Sequence, residues 1–184
     1  MSVLIDDEWA AGNHVFYIYW ARSYSGPQHR EGMYISSFRH LENEGGLTSR
    51  GEFASETVVW HDTDGFSSGV GWHYGGQLSF GPDSRIYLSL GDKYSELYQR
   101  SPKYNAGCVI RMNKNGTVPE GNLPSYVKPS GCWAYGVRNG FRSTWDLGDP
   151  GDPDPHPRYL IGETGGNDNL KSHEVTATRI LPLV

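Results

Sequence analysis

The chain has 184 residues and a formal net charge of -5 at pH 7, which excludes the basic footprint of a nucleic-acid binder and offers nothing to an anionic membrane surface. Hydrophobic residues make up 36% and aromatics 13%, with 24 Gly and 11 Pro. This composition excludes a helical bundle and predicts short strands with many turns, in a chain long enough for one domain with a real core.

No run approaches the ~18 apolar residues of a transmembrane helix. The N-terminal MSVLIDDEWAAG shows neither the basic nor the long apolar region of a signal peptide. Residues 13–21, NHVFYIYWA, read as a buried strand rich in β-branched and aromatic residues. Residues 32–40 and 56–61 read as two more strands, separated by a polar turn region over 41–55. A Gly/Ser loop over 62–71 leads to GWHYGGQLSFGPDSRIYLSLGD, residues 71–92. There two apolar runs, 77–80 and 86–90, flank Gly81-Pro82-Asp83-Ser84. Pro presets φ and Asp bonds its own backbone, so this is a hairpin, with His73 just before its first strand.

Residues 93–106 are polar and Tyr-rich and read as a loop. A strand over 107–112 meets the turn Asn113-Lys114-Asn115-Gly116. Strands follow over 132–137, 140–147, 159–162 and 174–181. The segment 148–157, GDPGDPDPHP, is a loop. Asn115-Gly116-Thr117 is an N-glycosylation sequon on a hairpin turn, relevant only to a secreted chain. Cys108 and Cys132 read as two buried thiols, with a disulfide as the alternative; their spacing is not that of a metal site. Two segments, IYLSLGD and RYLIGETG, are aromatic-aliphatic strands ending in glycine plus acid. Such repetition points to an all-β chain built as a β-propeller.

Several of these segments together resemble the soluble glucose/sorbosone dehydrogenase family. They are HYGGQLSFGPD with IYLSLGD, GCVIRMNKNGTVPE, WAYGVRNGF and GETGGNDNLKSHE, in that order. The resemblance runs from about residue 13 to 175. It implies a six-bladed β-propeller, of which residues 1–184 would supply about half the blades as one partial domain. It further implies an aldose sugar as substrate, pyrroloquinoline quinone and Ca2+ as cofactors, a separate electron acceptor, and a secreted or periplasmic home.

Carried over residue by residue, the resemblance makes His73 the base that removes the anomeric hydroxyl proton. A neutral imidazole suits that task near neutral pH. Without the motif, the same histidine would read as an edge residue bonded to backbone. Trp72 stands where some relatives carry an acid that could orient the imidazole. Arg138 and Asn139 match cofactor contacts, where a guanidinium suits a polyanionic carboxylate and both donors suit charge developing on a quinone oxygen. By itself Arg138 would be a solvated strand-end arginine. Gly165 and Gly166 match a calcium loop that binds through backbone carbonyls, or else form a plain turn. Asp149, Asp152 and Asp154 form a proline-broken acidic loop that reads as solvated, and the remaining histidines show no metal-ligand spacing. The alternative function is a non-catalytic, hedgehog-interacting-protein-like propeller that binds a protein or glycan, since a fold does not guarantee an activity. The presence of His73, Arg138 and Asn139 favours the enzyme.

Overall fold

The computed structural model describes residues 1–22, 32–42, 49–62, 64, 73–129, 131–149, 151, 157–164 and 175–182. It divides into two compact units, Met1–Gly65 and Phe66–Val184.

The first unit is one antiparallel sheet in sequential order, β1 (Ser2–Ile5), β2 (Val15–Arg22), β3 (Gly32–Glu42) and β4 (Ser49–His61). The aromatic run of the sequence supplies its core: Tyr17 and Tyr19 on β2 are buried, as are Met33, Tyr34, Ile35 and Phe38 on β3. Phe16 and Phe38 stack across the β2/β3 pair with ring centroids 5.6 Å apart. Asp6, buried just after β1, accepts from the Glu8 amide and the Tyr17 hydroxyl. Two expectations are corrected here. A first strand forms over Ser2–Ile5, and much of the polar segment 41–55 is strand, because β3 and β4 keep pairing out to Glu42 and Ser49. Polarity there marks an exposed ribbon, whose backbone bonds form whatever the side chains are.

The second unit holds two sheets. One is a four-stranded meander of β5 (Leu78–Phe80), β6 (Ile86–Ser89), β7 (Cys108–Met112) and β8 (Cys132–Tyr135). The other orders β9 (Gly140–Asp146), β10 (Arg158–Thr164) and β11 (Val175–Pro182) in the same sequential way. Four-stranded antiparallel meanders are the blades from which propellers are built. β6 and β7 are buried at every residue, as expected for inner strands covered on both faces. The repeat seen in the sequence is real: IYLSLGD and RYLIGETG each contain the second strand of a sheet. Their tyrosines, Tyr87 and Tyr159, meet with centroids 5.7 Å apart and pack with Val109, Val137 and Ile161. Trp133 and Trp145 complete this aromatic cluster. Burying each such side chain contributes about 1.5–3 kcal/mol.

The β5/β6 turn forms as its residues require. The Ser84 amide donates to the Gly81 carbonyl at 3.0 Å and that of Gly81 to the Arg85 carbonyl at 2.9 Å. Asp83 Oδ2 accepts from Arg85 Nη1 (2.9 Å), Arg111 Nη2 (3.0 Å) and Nε (3.2 Å), and the Tyr87 hydroxyl (3.1 Å). Arg111 also donates to the Glu120 carbonyl and to Asn122 Oδ1, tying the loop after β7 to the sheet. Burial works to raise the Asp83 pKa, but the hydrogen bonds from Arg85, Arg111 and Tyr87 and the Arg111 charge outweigh it. The carboxyl is held below its ordinary value.

Within the segment read as a loop, Ser95 caps a short helix, α1 (Glu96–Arg100), by accepting from the Tyr98 amide at 3.3 Å. The buried Lys128 ammonium donates to the carbonyls of Tyr98, Tyr104 and Ala106 and so holds this segment against the β7 side. The reading of Cys108 and Cys132 as thiols is corrected: they form a disulfide between the neighbouring strands β7 and β8, with Cα atoms 5.5 Å apart. Asn115 sits exposed in its turn, its Oδ1 accepting from the Thr117 amide (3.1 Å) and hydroxyl (2.7 Å).

Candidate active site

β6 leads into Leu90-Gly91-Asp92, and this end gathers three of the residues singled out from the sequence. The Asp92 amide donates to the Arg138 carbonyl at 2.8 Å, and the Lys93 amide to the His73 carbonyl at 3.2 Å. Gly91 lies between them. A Cβ there would overlap the His73 carbonyl oxygen and stand 3.2 Å from that of Arg138, so only glycine lets the two segments close on the strand end. The segment before β5 is pinned as well, by the Gly76 amide donating to the Ser89 carbonyl at 3.0 Å.

His73 Nδ1 lies 2.7 Å from Asp92 Oδ1. An ionised carboxylate only accepts, so Nδ1 carries the proton and Nε2 presents a lone pair. Nε2 has no hydrogen-bond partner among the described residues. The Asp92 side chain is 5% exposed and that of His73 11%. The dyad is therefore largely shielded, with the imidazole the more accessible member. The same Asp92 Oδ1 accepts from the Tyr94 amide at 2.8 Å. Three residues here adopt left-handed backbone, His73 (φ 60), Lys93 (φ 53) and Tyr94 (φ 62). Such conformations in residues with bulky side chains cost about 1–3 kcal/mol each and collect at functional sites.

Arg138 and Asn139 lie in the short connection between β8 and β9. The Arg138 amide donates to Glu163 Oε2 at 2.8 Å, so its backbone is clamped on one side by Asp92 and on the other by Glu163. Asn139 is 5% exposed. Ser89 Oγ donates to the Gly140 carbonyl at 3.0 Å, which fixes the start of β9 beside β6. His73, Arg138 and Asn139 are thereby brought to one end of the β6 strand. Gly165, Gly166, Trp72, Asp152 and Asp154 lie outside the described residues. Asp149, which is described, accepts from the Gly151 amide within its own loop. Among the described residues no group of three or more His, Cys, Asp or Glu is placed to hold a metal.

Sequence reasoning missed two anchors. It looked for an orienting acid next to His73, at the position of Trp72, whereas the acid comes from Asp92 at the far end of the hairpin. It also gave Glu163 no role. Both are the acids that close the two repeated glycine-acid strand ends, and that repetition was the available signal.

A family model described as Glucose / Sorbosone dehydrogenase matches residues 1–148. Among solved structures, a putative oxidoreductase (glucose dehydrogenase) from Thermus thermophilus is 23% identical with a TM-score of 0.66, over 90% of this chain and 44% of that one. The PQQ-bound form of an aldose sugar dehydrogenase from Streptomyces coelicolor is 23% identical with a TM-score of 0.60, over 89% and 41%. The apo-form of a soluble aldose sugar dehydrogenase from Escherichia coli is 18% identical with a TM-score of 0.63, over 89% and 42%. The chain thus spans less than half the length of each of these structures, and it carries part of their β-propeller fold. With its two four-stranded meanders and a family match over most of its length, the chain belongs to the glucose/sorbosone dehydrogenase family.

Proposed function

We propose that the complete protein oxidises an aldose at its anomeric carbon, using pyrroloquinoline quinone as hydride acceptor. The observation that carries this reading is the His73–Asp92 dyad beside Arg138 and Asn139. The residue types suit the quinone: an arginine and an asparagine, whose backbone lies at the strand end that carries the dyad, offer the donors a flat polycarboxylate requires. Arg138 and Asn139 would hold it. When bound, the quinone would supply the hydride acceptor for C1. His73 Nε2 accepts the C1 hydroxyl proton, and the aldose becomes the lactone. Asp92 keeps Nδ1 protonated and stabilises the imidazolium that forms. Arg138, its backbone fixed by Asp92 and Glu163, would supply positive charge to the bound group.

Calcium rests on the family resemblance, with Gly165 and Gly166 as its carbonyl ligands. The Cys108–Cys132 disulfide supports an oxidising compartment, in line with a secreted or periplasmic protein. Oxidation also requires a separate electron acceptor to regenerate the quinone.

The test is titration of the complete protein with the quinone and Ca2+, followed by anaerobic addition of aldoses while the quinone spectrum is recorded. Quinone reduction that falls by about 10²–10⁴-fold in His73→Ala supports the proposal. Failure of the folded protein to bind the quinone sinks it and leaves a binding propeller.

A further inference from the structure

Tyr94 is the least economical residue at the site. Its φ of 62 puts a bulky aromatic residue in left-handed backbone, a conformation that glycine or asparagine would adopt more cheaply. Its amide is spent on Asp92 Oδ1, the oxygen that also orients His73. Its ring stands edge-on to the His73 imidazole with centroids 5.1 Å apart. Yet the residue is 54% exposed, so core burial does not account for it. A strained backbone thus holds an open aromatic ring against the proton-accepting side chain.

We propose that Tyr94 forms the wall of the sugar subsite, packing against the C–H face of a pyranose whose anomeric hydroxyl meets His73 Nε2. This rests on the dehydrogenase reading and deepens it by assigning one residue of this chain to the sugar contact. An aromatic face offers a pyranose apolar contact and orientation at low entropic cost, because the tyrosine ring has few torsions to freeze. The role is one of binding and specificity. Tyr94 takes no part in the proton transfer.

The measurement is steady-state kinetics of the complete, quinone-loaded protein with D-glucose for Tyr94→Gly, Tyr94→Asn and Tyr94→Phe. Calorimetric titration of the same proteins with D-glucose, the quinone pre-reduced so that no turnover occurs, reads binding separately. Glycine and asparagine both tolerate φ near 62, so thermal midpoints at or above that of the wild type are expected. The two ringless variants should raise KM and the calorimetric Kd by about tenfold, with kcat changed by less than about threefold, and Tyr94→Phe should behave as the wild type. A Tyr94→Gly protein with KM and Kd within about twofold of the wild type overturns the inference. So does a fall in kcat with KM unchanged, which would mean that the ring only positions the imidazole. If the wild type neither binds nor oxidises any aldose, the functional reading falls first and this one with it. If the wild type does both, only the Tyr94 result decides.

Discussion

The β5/β6 hairpin carries an aspartate at each end, and the two have opposite work. At the turn, Asp83 is saturated by Arg85, Arg111 and Tyr87. Its side-chain partners are all structural, the Arg85 amide adds a local bond, and the network ties the turn to β7 and the loop after it. At the other end, Asp92 accepts from an imidazole and one backbone amide, among residues with left-handed backbone and beside an exposed tyrosine. Both carboxylates are shielded, with side chains 13% and 5% exposed. Burial therefore does not separate a stabilising acid from a site acid. What separates them is whether the partner has a further chemical valence to offer. The guanidinium of Arg111 is spent on Asp83 and on the following loop, whereas His73 keeps Nε2.

That contrast can be broken from either end. The largest effect should come from Asp83→Ala. It leaves Arg111, with a side chain 6% exposed, facing no carboxylate, and costs about 3–5 kcal/mol by urea denaturation. Sugar kinetics of the folded fraction should stay the same. The pH dependence sharpens this point. The folded pKa of Asp83 lies below its ordinary value of 3.8, so its stabilisation is complete above that pH. It is lost as the pH falls through 3.8 toward the folded value. Wild-type stability should drop across that window more steeply than that of Asp83→Ala. Equal slopes would remove Asp83 from its structural role.

Next in size is Asp92→Asn. A carboxamide can donate to Nδ1, which moves the imidazole proton to Nε2 and silences the base. The quinone-reduction rate should fall on the order of 10²-fold while stability changes by less than about 1 kcal/mol. A large loss of stability with an unchanged rate would make Asp92 a second Asp83. The smallest effect is that of Tyr159→Phe. The Tyr159 hydroxyl donates to Ser143 Oγ at 2.7 Å inside the core, and its loss should cost about 1 kcal/mol with no kinetic change.

The sequence alone determined most of the strands, because alternation and turn chemistry are local. The β5/β6 hairpin, β7, β9 and the Asn113–Gly116 turn are all legible from neighbouring residues. The resemblance also pointed to His73, Arg138 and Asn139, and the fold carries all three to the Gly91–Asp92 corner. Local polarity misled over residues 41–55, where a solvated ribbon carries polar side chains on a paired backbone. It also hid α1, whose one signal was Ser95 as a cap. Hydrophobic surroundings look the same for free and paired cysteines, so only the strand pairing of β7 with β8 could join Cys108 to Cys132. The orienting acid was only half within reach. Asp92 stands 19 residues from His73; the hairpin reading brings the two ends near each other, but not the side-chain contact between them. Tertiary structure decided that, through one glycine that lets two backbones meet and two acids that hold them there.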